Sequence, residues 1–96
     1  ETSECGKYLC DACEKGKEYI VKFLIGHGAS VNQKDNNFDT PLLLSCYHNH
    51  AGIAKYLVEH GAIKNEMNKN GYTPLINSCM NENEDLVKYL VEKGAD

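Results

Sequence analysis

Apolar residues recur along this chain in short stripes separated by polar segments. In the middle of the chain, Leu42 and Cys46 are four residues apart, and Ile53 and Leu57 are again four apart. This spacing places each pair on one face of a helix. The polar run H-N-H lies between the two stripes. The pattern therefore predicts two short helices, the second of which begins at about Ala51.

Residues typical of helix ends flank these stripes. The hydroxyl of Thr40 can accept a hydrogen bond from an unpaired backbone N–H, and Pro41 suits the first helical position because it has no donor to lose. Gly61 suits the left-handed conformation that follows many helices. The same Thr-Pro pair returns at positions 73–74, and the same Gly returns at position 94.

The whole unit is repeated at a constant interval, with copies that begin near positions 7, 40 and 73. Residues 40–62 laid over residues 73–95 give 12 identities in 23 positions, including K-Y-L-V-E in both. Residues 7–30 form a weaker third copy in the same register. Helices of two or three turns are marginal alone, and one pair cannot cover its own apolar face. We therefore expect stacked helix pairs, with copies over residues 7–39, 40–72 and 73–96.

Two connecting segments are rich in turn-forming residues. They read D-N-N-F-D at residues 35–39 and N-K-N-G-Y at residues 68–72. Such residues favour tight turns. Both segments are predicted to project from the stack as hairpin fingers.

The residues resemble the ankyrin repeat. The matching elements are T-P-L at residues 40–42 and 73–75, G-A at residues 28–29 and 61–62, G-A-D at residues 94–96, and Asp35 at the start of a finger. The resemblance implies an all-α solenoid of stacked antiparallel helix pairs with short β-hairpin fingers. The resemblance covers nearly the whole chain, which we interpret as one domain over residues 1–96. The third copy is truncated, as expected for a fragment of a longer array.

The chain departs from the family pattern in places. At the position of the family's His after T-P-L, the three copies have Cys10, Leu43 and Ile76. Phe38 stands where a finger glycine is expected. Because positive φ is unfavourable for a large side chain, we expect Asn37 to adopt that conformation instead. We also expect Leu86 or Leu90 to expose apolar surface beyond the third copy.

Composition narrows the range of partners. The net charge is −4, and all ten basic residues are lysines. Without Arg, the chain lacks the side chain best suited to bidentate contacts with phosphate or guanine. We therefore expect no nucleic-acid partner. No apolar run is long enough to span a membrane, so we expect no direct membrane insertion.

We interpret the cysteines as reduced residues, three of which pack between helices. There are five, an odd number, and reduced thiols in an intracellular, cytoplasmic setting are the simpler interpretation. Three of them recur at one position of the unit, where a small buried side chain suits helix stacking. A zinc site built on Cys5, Cys10 and Cys13 with His27 is the disfavoured alternative, because Cys13 belongs to the core.

Nothing in the chain has the spacing of a catalytic or cofactor site. His48 and His50 would point in different directions on a helix, so we interpret them as a solvated helix end. The sequence shows no nucleophile with a base and an orienting group, and no phosphate-binding loop. We therefore expect no enzymatic activity, no cofactor and no metal.

The positions that differ between copies are the candidate binding residues. In the family, finger and first-helix positions line a concave groove where partners bind. Here Tyr47, Met80 and Tyr72 are the predicted anchors, because exposed aromatic and Met side chains favour contact surfaces. The full set is Lys34, Asn36, Asn37, Asp39, Tyr47, His48, Met67, Lys69, Asn70, Tyr72, Met80 and Asn81.

The sequence thus predicts a monomeric, non-enzymatic module that binds another protein on its concave face. The alternatives are a structural spacer in a longer array, or the regulatory ankyrin part of a larger enzyme or channel. The resemblance further implies that Asn32 sits where finger asparagines can be hydroxylated.

Overall fold

The structure, a computed structural model, describes residues 2–95, with side chains described from residue 6 onward. The Cys5 side chain and Asp96, both invoked above, lie outside the described residues. Six helices follow one another, and no strand occurs within residues 2–95. They are α1 (Thr2–Lys15), α2 (Glu18–Gly26), α3 (Pro41–Tyr47), α4 (Ala51–Glu59), α5 (Pro74–Met80) and α6 (Glu84–Glu92).

The helices form three antiparallel pairs that stack side by side. Helix α1 packs on α2, α3 on α4, and α5 on α6. The first helices of the pairs form a continuous row, because α3 contacts both α1 and α5. The stack measures 35 × 25 × 21 Å. The predicted all-α solenoid of stacked helix pairs is confirmed.

The helix ends follow the predicted chemistry. The hydroxyl of Thr40 accepts a hydrogen bond from the Leu43 backbone N–H at 3.1 Å, and Thr73 caps α5 in the same way. A proline occupies the first turn of both helices. Gly61 and Gly94 adopt φ values of 96° and 98° just beyond α4 and α6, a conformation that other residues rarely reach. These signals place the helix boundaries where the sequence predicts them.

Burial shows which face of each pair is covered, and it corrects one expectation. Leu86 and Leu90 are fully buried, not exposed. They occupy the positions of Ile53 and Leu57 in the second copy, which face the preceding copy. The third copy instead exposes other apolar residues, among them Val91.

Cys79 also differs from its counterparts. Cys13 and Cys46 are fully buried, as expected for packing residues, but Cys79 is exposed. This position packs against the following copy, and within the described residues nothing covers it in the third. The core interpretation is therefore right for two of the three recurring cysteines and wrong for Cys79.

The fingers are turns without the predicted β-hairpin ladder. The Asp35 N–H donates to the Asp39 carbonyl at 2.9 Å, which closes a single tight loop. Phe38, not Asn37, adopts the positive φ of 62°, so that expectation was wrong. The ammonium groups of Lys34 and Lys69 lie 5.6 and 5.4 Å from the centre of the Phe38 ring. These cation–π contacts help to hold Phe38 in a conformation that usually favours glycine.

Substitutions should distinguish the buried face from the concave face. Leu57→Ala leaves a cavity between the first and second pairs and should lower the free energy of unfolding by about 2–5 kcal/mol. Tyr47→Ala removes a side chain that is 50% exposed and should change it by about 0.5 kcal/mol or less. Urea denaturation of both variants and wild type measures the difference. Equal losses would contradict the assignment of inner and outer faces.

The thiols should differ in reactivity in the native state. Burial raises the pKa of Cys10 and Cys46 to about 12 and raises the pKa of Cys13 as well. The thiolate is the reactive form, so these three should resist alkylation until the chain unfolds, whereas exposed Cys79 should be labelled first. Alkylation followed by peptide mass mapping identifies each site. Labelling of Cys13 as fast as Cys79 in folded protein would contradict the packing described here.

Candidate binding groove

A concave groove of about 280 Å³ lies between the fingers and the row of first helices. It opens on the side formed by α1, α3 and the two fingers. The residues that line it are Glu14, Asp35, Asn37, Asp39, Leu44, Tyr47, His48, Asn68, Asn70 and Tyr72.

Each finger is built around one polar side chain. The Asp35 carboxylate accepts hydrogen bonds from the backbone N–H groups of Asn37 and Asp39, at 2.8 and 2.9 Å. In the next finger, the Asn68 side-chain oxygen accepts from Asn70 at 2.9 Å and Tyr72 at 3.1 Å. Such side-chain bonds to the local backbone are a standard way for Asp and Asn to stabilise turns. Both fingers therefore reach the same geometry with different residues.

The two fingers are also bonded to each other. The Asn68 amide donates to the Asp39 carboxylate at 2.9 Å, and the Lys69 N–H donates to the Asn37 carbonyl at 3.1 Å. Lys34 and Glu66 form an ion pair at 2.9 Å between the same two copies. These links hold one wall of the groove in place without a bound partner.

Aromatic side chains line the groove beside the fingers. Tyr47 is exposed at the end of α3, and Tyr72 is half-buried at the base of the second finger. The Tyr47 ring meets the His48 ring edge-on, with their centres 5.0 Å apart. Tyrosines combine a large apolar surface with a polar tip, which suits them to protein contacts.

The groove is acidic. Glu14, Asp35 and Asp39 lie along it, and none of its lining residues is a lysine. Burial raises the pKa of the Asp39 carboxyl, the hydrogen bond from Asn68 and the nearby His48 oppose that rise, and Asp35 adds to it. The electrostatic character of the groove opposes phosphate and other anions.

The structure brings together half of the twelve predicted binding residues. Asn37, Asp39, Tyr47, His48, Asn70 and Tyr72 line the groove. Lys34 and Asn36 line a separate depression between α1 and the first finger. The remaining four, Met67, Lys69, Met80 and Asn81, are exposed but outside the groove lining.

Four lining residues were absent from the predicted set. Glu14 and Leu44 lie on first helices, and Asp35 and Asn68 lie in fingers. Asp35 and Asn68 stand at the same position of the repeated unit, one in each finger. Alignment of the copies could therefore have identified them. Glu14 stands where the other copies have Tyr47 and Met80, so extending that comparison to the first copy would have found it.

Asn81 joins two copies. Its amide nitrogen donates to the carbonyls of Cys46 at 2.7 Å and Tyr47 at 2.9 Å, at the end of α3. Asn77 donates to the Leu43 carbonyl at 3.2 Å in the same interface. Helix ends leave carbonyls without helical partners, and Asn81 satisfies those of the preceding copy.

Asn32 likewise bridges copies. Its amide donates to the Gly61 carbonyl at 3.3 Å, and its side-chain oxygen accepts from the Ile63 N–H at 2.8 Å. The side chain thus stabilises the stack at the position where the resemblance implies hydroxylation.

Two further observations concern other kinds of site. Within the part of the chain that the structure describes, no three His, Cys, Asp or Glu side chains come together as metal ligands. None of the helices in that part has the length and hydropathy needed to cross a membrane.

Removing the Asn81 amide should weaken the stack. Asn81→Ala loses the bonds to two helix-end carbonyls and should lower the free energy of unfolding by about 1–2 kcal/mol, because each net hydrogen bond contributes roughly 0.5–1.5 kcal/mol. Asn70→Ala, at the exposed tip of the second finger, is the matched control and should be nearly neutral. Thermal and urea denaturation give both values. An unchanged stability in Asn81→Ala would show that this bridge contributes nothing in solution.

Comparison with protein families agrees with the repeat and its geometry. The family described as ankyrin repeats matches residues 9–96 in three copies. Comparison with curated proteins gives no match. Ankyrin repeats are generally protein–protein interaction modules and are typically non-enzymatic. With its regular period, its stacked helix pairs and the threonine caps of α3 and α5, this chain belongs to the ankyrin-repeat family.

Proposed function

We propose that this chain is a non-enzymatic module that binds another protein in the groove between its fingers and first helices. The observation that carries the proposal is the construction of that groove, in which two fingers are bonded internally, to each other and to the stack. The proposed units are residues 7–39, 40–72 and 73–96.

A groove wall that is already ordered favours a high affinity for a partner. Association requires that mobile side chains and loops become ordered, which opposes binding. Here Asp35 and Asn68 already hold the finger backbones, and the Asn68–Asp39 bond at 2.9 Å joins them. The polar edge of the groove would therefore already be ordered before a partner binds.

The anchors of the proposed contact are Tyr47 and Tyr72. Both line the groove, and buried tyrosines contribute disproportionately to protein interfaces. Asn37, Asn70 and His48 would supply polar contacts beside them. Met80 lies on the next first helix, at the position of Tyr47, and would extend the contact to a longer partner segment.

The acidic lining defines the charge of the partner segment. Glu14, Asp35 and Asp39 would repel an acidic peptide or a phosphate backbone. A neutral or basic protein segment is the complementary partner. The buried free thiols Cys10, Cys13 and Cys46 support a reducing, intracellular setting for this interaction.

Loss of the anchors should abolish partner capture. A pull-down from cell lysate, read by mass spectrometry, would compare wild type with Tyr47→Ala/Tyr72→Ala/Met80→Ala. Tyr19→Ala/Ile63→Ala removes two exposed apolar side chains outside the groove and serves as the control. Circular dichroism confirms that all three proteins fold. A partner retained by the control should bind the groove variant more weakly by about 2 kcal/mol or more, roughly 30-fold.

The opposite result is equally informative. Capture of the same proteins by wild type and by the groove variant would place binding outside the groove. A wild-type chain that captures nothing specific would support the structural-spacer alternative.

A further inference from the structure

The second finger contains the one Asn-Gly pair of the sequence, Asn70-Gly71. In such a pair the backbone nitrogen of the glycine can attack the side-chain amide of the asparagine, because glycine has no side chain to hinder the approach. Asparagine counts among the thermolabile residues of proteins for this kind of reason. Since Asn70 lines the candidate groove, a chemical change at this pair alters the surface of the groove.

The structure leaves the side chain of this asparagine accessible. Asn70 and Gly71 are both exposed. Among the described residues, no group forms a hydrogen bond with the Asn70 side chain, whereas the Asn68 amide is bonded through both its oxygen and its nitrogen. A Cβ placed on Gly71 would meet no atom of the described part within 4 Å. The Asn70 amide can therefore turn toward the Gly71 nitrogen without a clash.

One hydrogen bond opposes the attack. The Gly71 N–H donates to the Asn68 carbonyl at 3.0 Å, and this nitrogen has to lose its proton before it can attack a carbonyl carbon. A single bond at an exposed loop tip opens readily by local fluctuation. The folded finger therefore slows the reaction relative to an unfolded chain but does not prevent it.

The first finger supplies a comparison within the same molecule. Asn37 and Phe38 stand at the positions of Asn70 and Gly71, and Asn37 is exposed as well. In each finger, the N–H of the second residue of the pair donates at 3.0 Å to the carbonyl three residues back. The two turns share this bond and differ in the side chain on the attacking residue. Because a phenylalanine side chain hinders the approach, Asn37 should be spared.

We propose that Asn70 is a site of spontaneous modification, at which attack by the Gly71 nitrogen converts the asparagine to aspartate and isoaspartate. The nitrogen gives up its proton and forms a bond to the side-chain carbonyl carbon of Asn70. The bond from that carbon to the amide nitrogen breaks, and ammonia leaves with the proton. Water then opens the cyclic imide. Opening at the side-chain carbonyl gives aspartate, and opening at the backbone carbonyl gives isoaspartate.

Both products change the second finger. Each adds a carboxylate to a groove that is already acidic. Isoaspartate also lengthens the main chain by a carbon atom inside the loop in which the Asn68 oxygen accepts from the N–H groups of Asn70 and Tyr72, at 2.9 and 3.1 Å. These bonds fit the normal chain length, so the finger loses its ordered geometry. Weaker binding in the groove follows, and this effect rests on the proposed function, whereas the conversion itself does not.

Peptide mass mapping of folded protein tests the conversion. Wild type is incubated at mildly alkaline pH and body temperature, and is then digested at acidic pH, where the nitrogen stays protonated. The Asn70 peptide should gain the mass that separates an acid from an amide, and protein isoaspartyl methyltransferase should label the isoaspartate product. The Asn37 peptide of the same sample should stay unchanged. Asn70→Gln is the matched control, because it keeps the amide but moves its carbon away from the Gly71 nitrogen.

Phe38→Gly should bring the same chemistry to the first finger. Glycine accepts the positive φ of 62° at this position, so the turn is retained. Conversion of Asn37 should rise at least about tenfold over wild type, because no side chain then hinders the attacking nitrogen. An unchanged Asn37 in this variant contradicts the role given to the following residue. An Asn70 that stays unchanged in folded wild type, while it converts in urea, overturns the proposal, because the turn then protects the site.

The effect on the groove has its own readout. Hydrogen exchange of the Tyr72 N–H should become faster in converted chains, which needs no partner. In the lysate pull-down, incubated wild type should capture less partner than incubated Asn70→Gln, whereas fresh samples of the two should capture equal amounts. Equal capture after incubation, with conversion measured in the same sample, overturns the effect on binding and leaves the conversion in place. The variant that lacks the groove anchors tests the proposed function separately.

Discussion

Each helix pair in this chain buries its apolar side chains mainly against the next pair. Leu57 is fully buried while lying on a helix of only nine residues, α4, and a helix of that length is marginal alone in water. The interface between copies therefore stabilises the helices themselves, and stability is shared between neighbours along the stack. The regular period of the sequence follows from this constraint, because each unit has to present the same two faces at the same spacing.

The groove depends on that stacking. Its walls come from three parts of the stack, with Glu14 on α1, Tyr47 at the end of α3 and Asn70 in the second finger. Asparagine side chains set the spacing of the copies, since Asn32, Asn77 and Asn81 each bond to a backbone carbonyl of the neighbouring unit. An amide that donates across the interface fixes distance and orientation, which apolar contact alone leaves adjustable.

The sequence predicted the stacked helix pairs well because the same helix signals occur in more than one copy. The caps at Thr40 and Thr73 lie where expected. The burial that the sequence did not predict depends on whether a residue faces the preceding or the following copy. Leu86 and Cys79 have buried counterparts in the second copy, yet Leu86 faces the preceding copy and Cys79 the following one. A periodic pattern identifies the inward positions but not the direction of each. The conformation of Phe38 was missed because its ring contacts Lys69 of the other finger as well as the nearby Lys34, and no local pattern contains the contact with Lys69.

Two kinds of side chain lie on the surface of this chain. The ends carry apolar side chains in the register of the internal interface, whereas the concave face carries tyrosines and carboxylates held on bonded fingers. The first kind is generic to the stack, and the second is particular to this sequence. The shape of the groove is therefore set by the same helix stacking that holds the copies together.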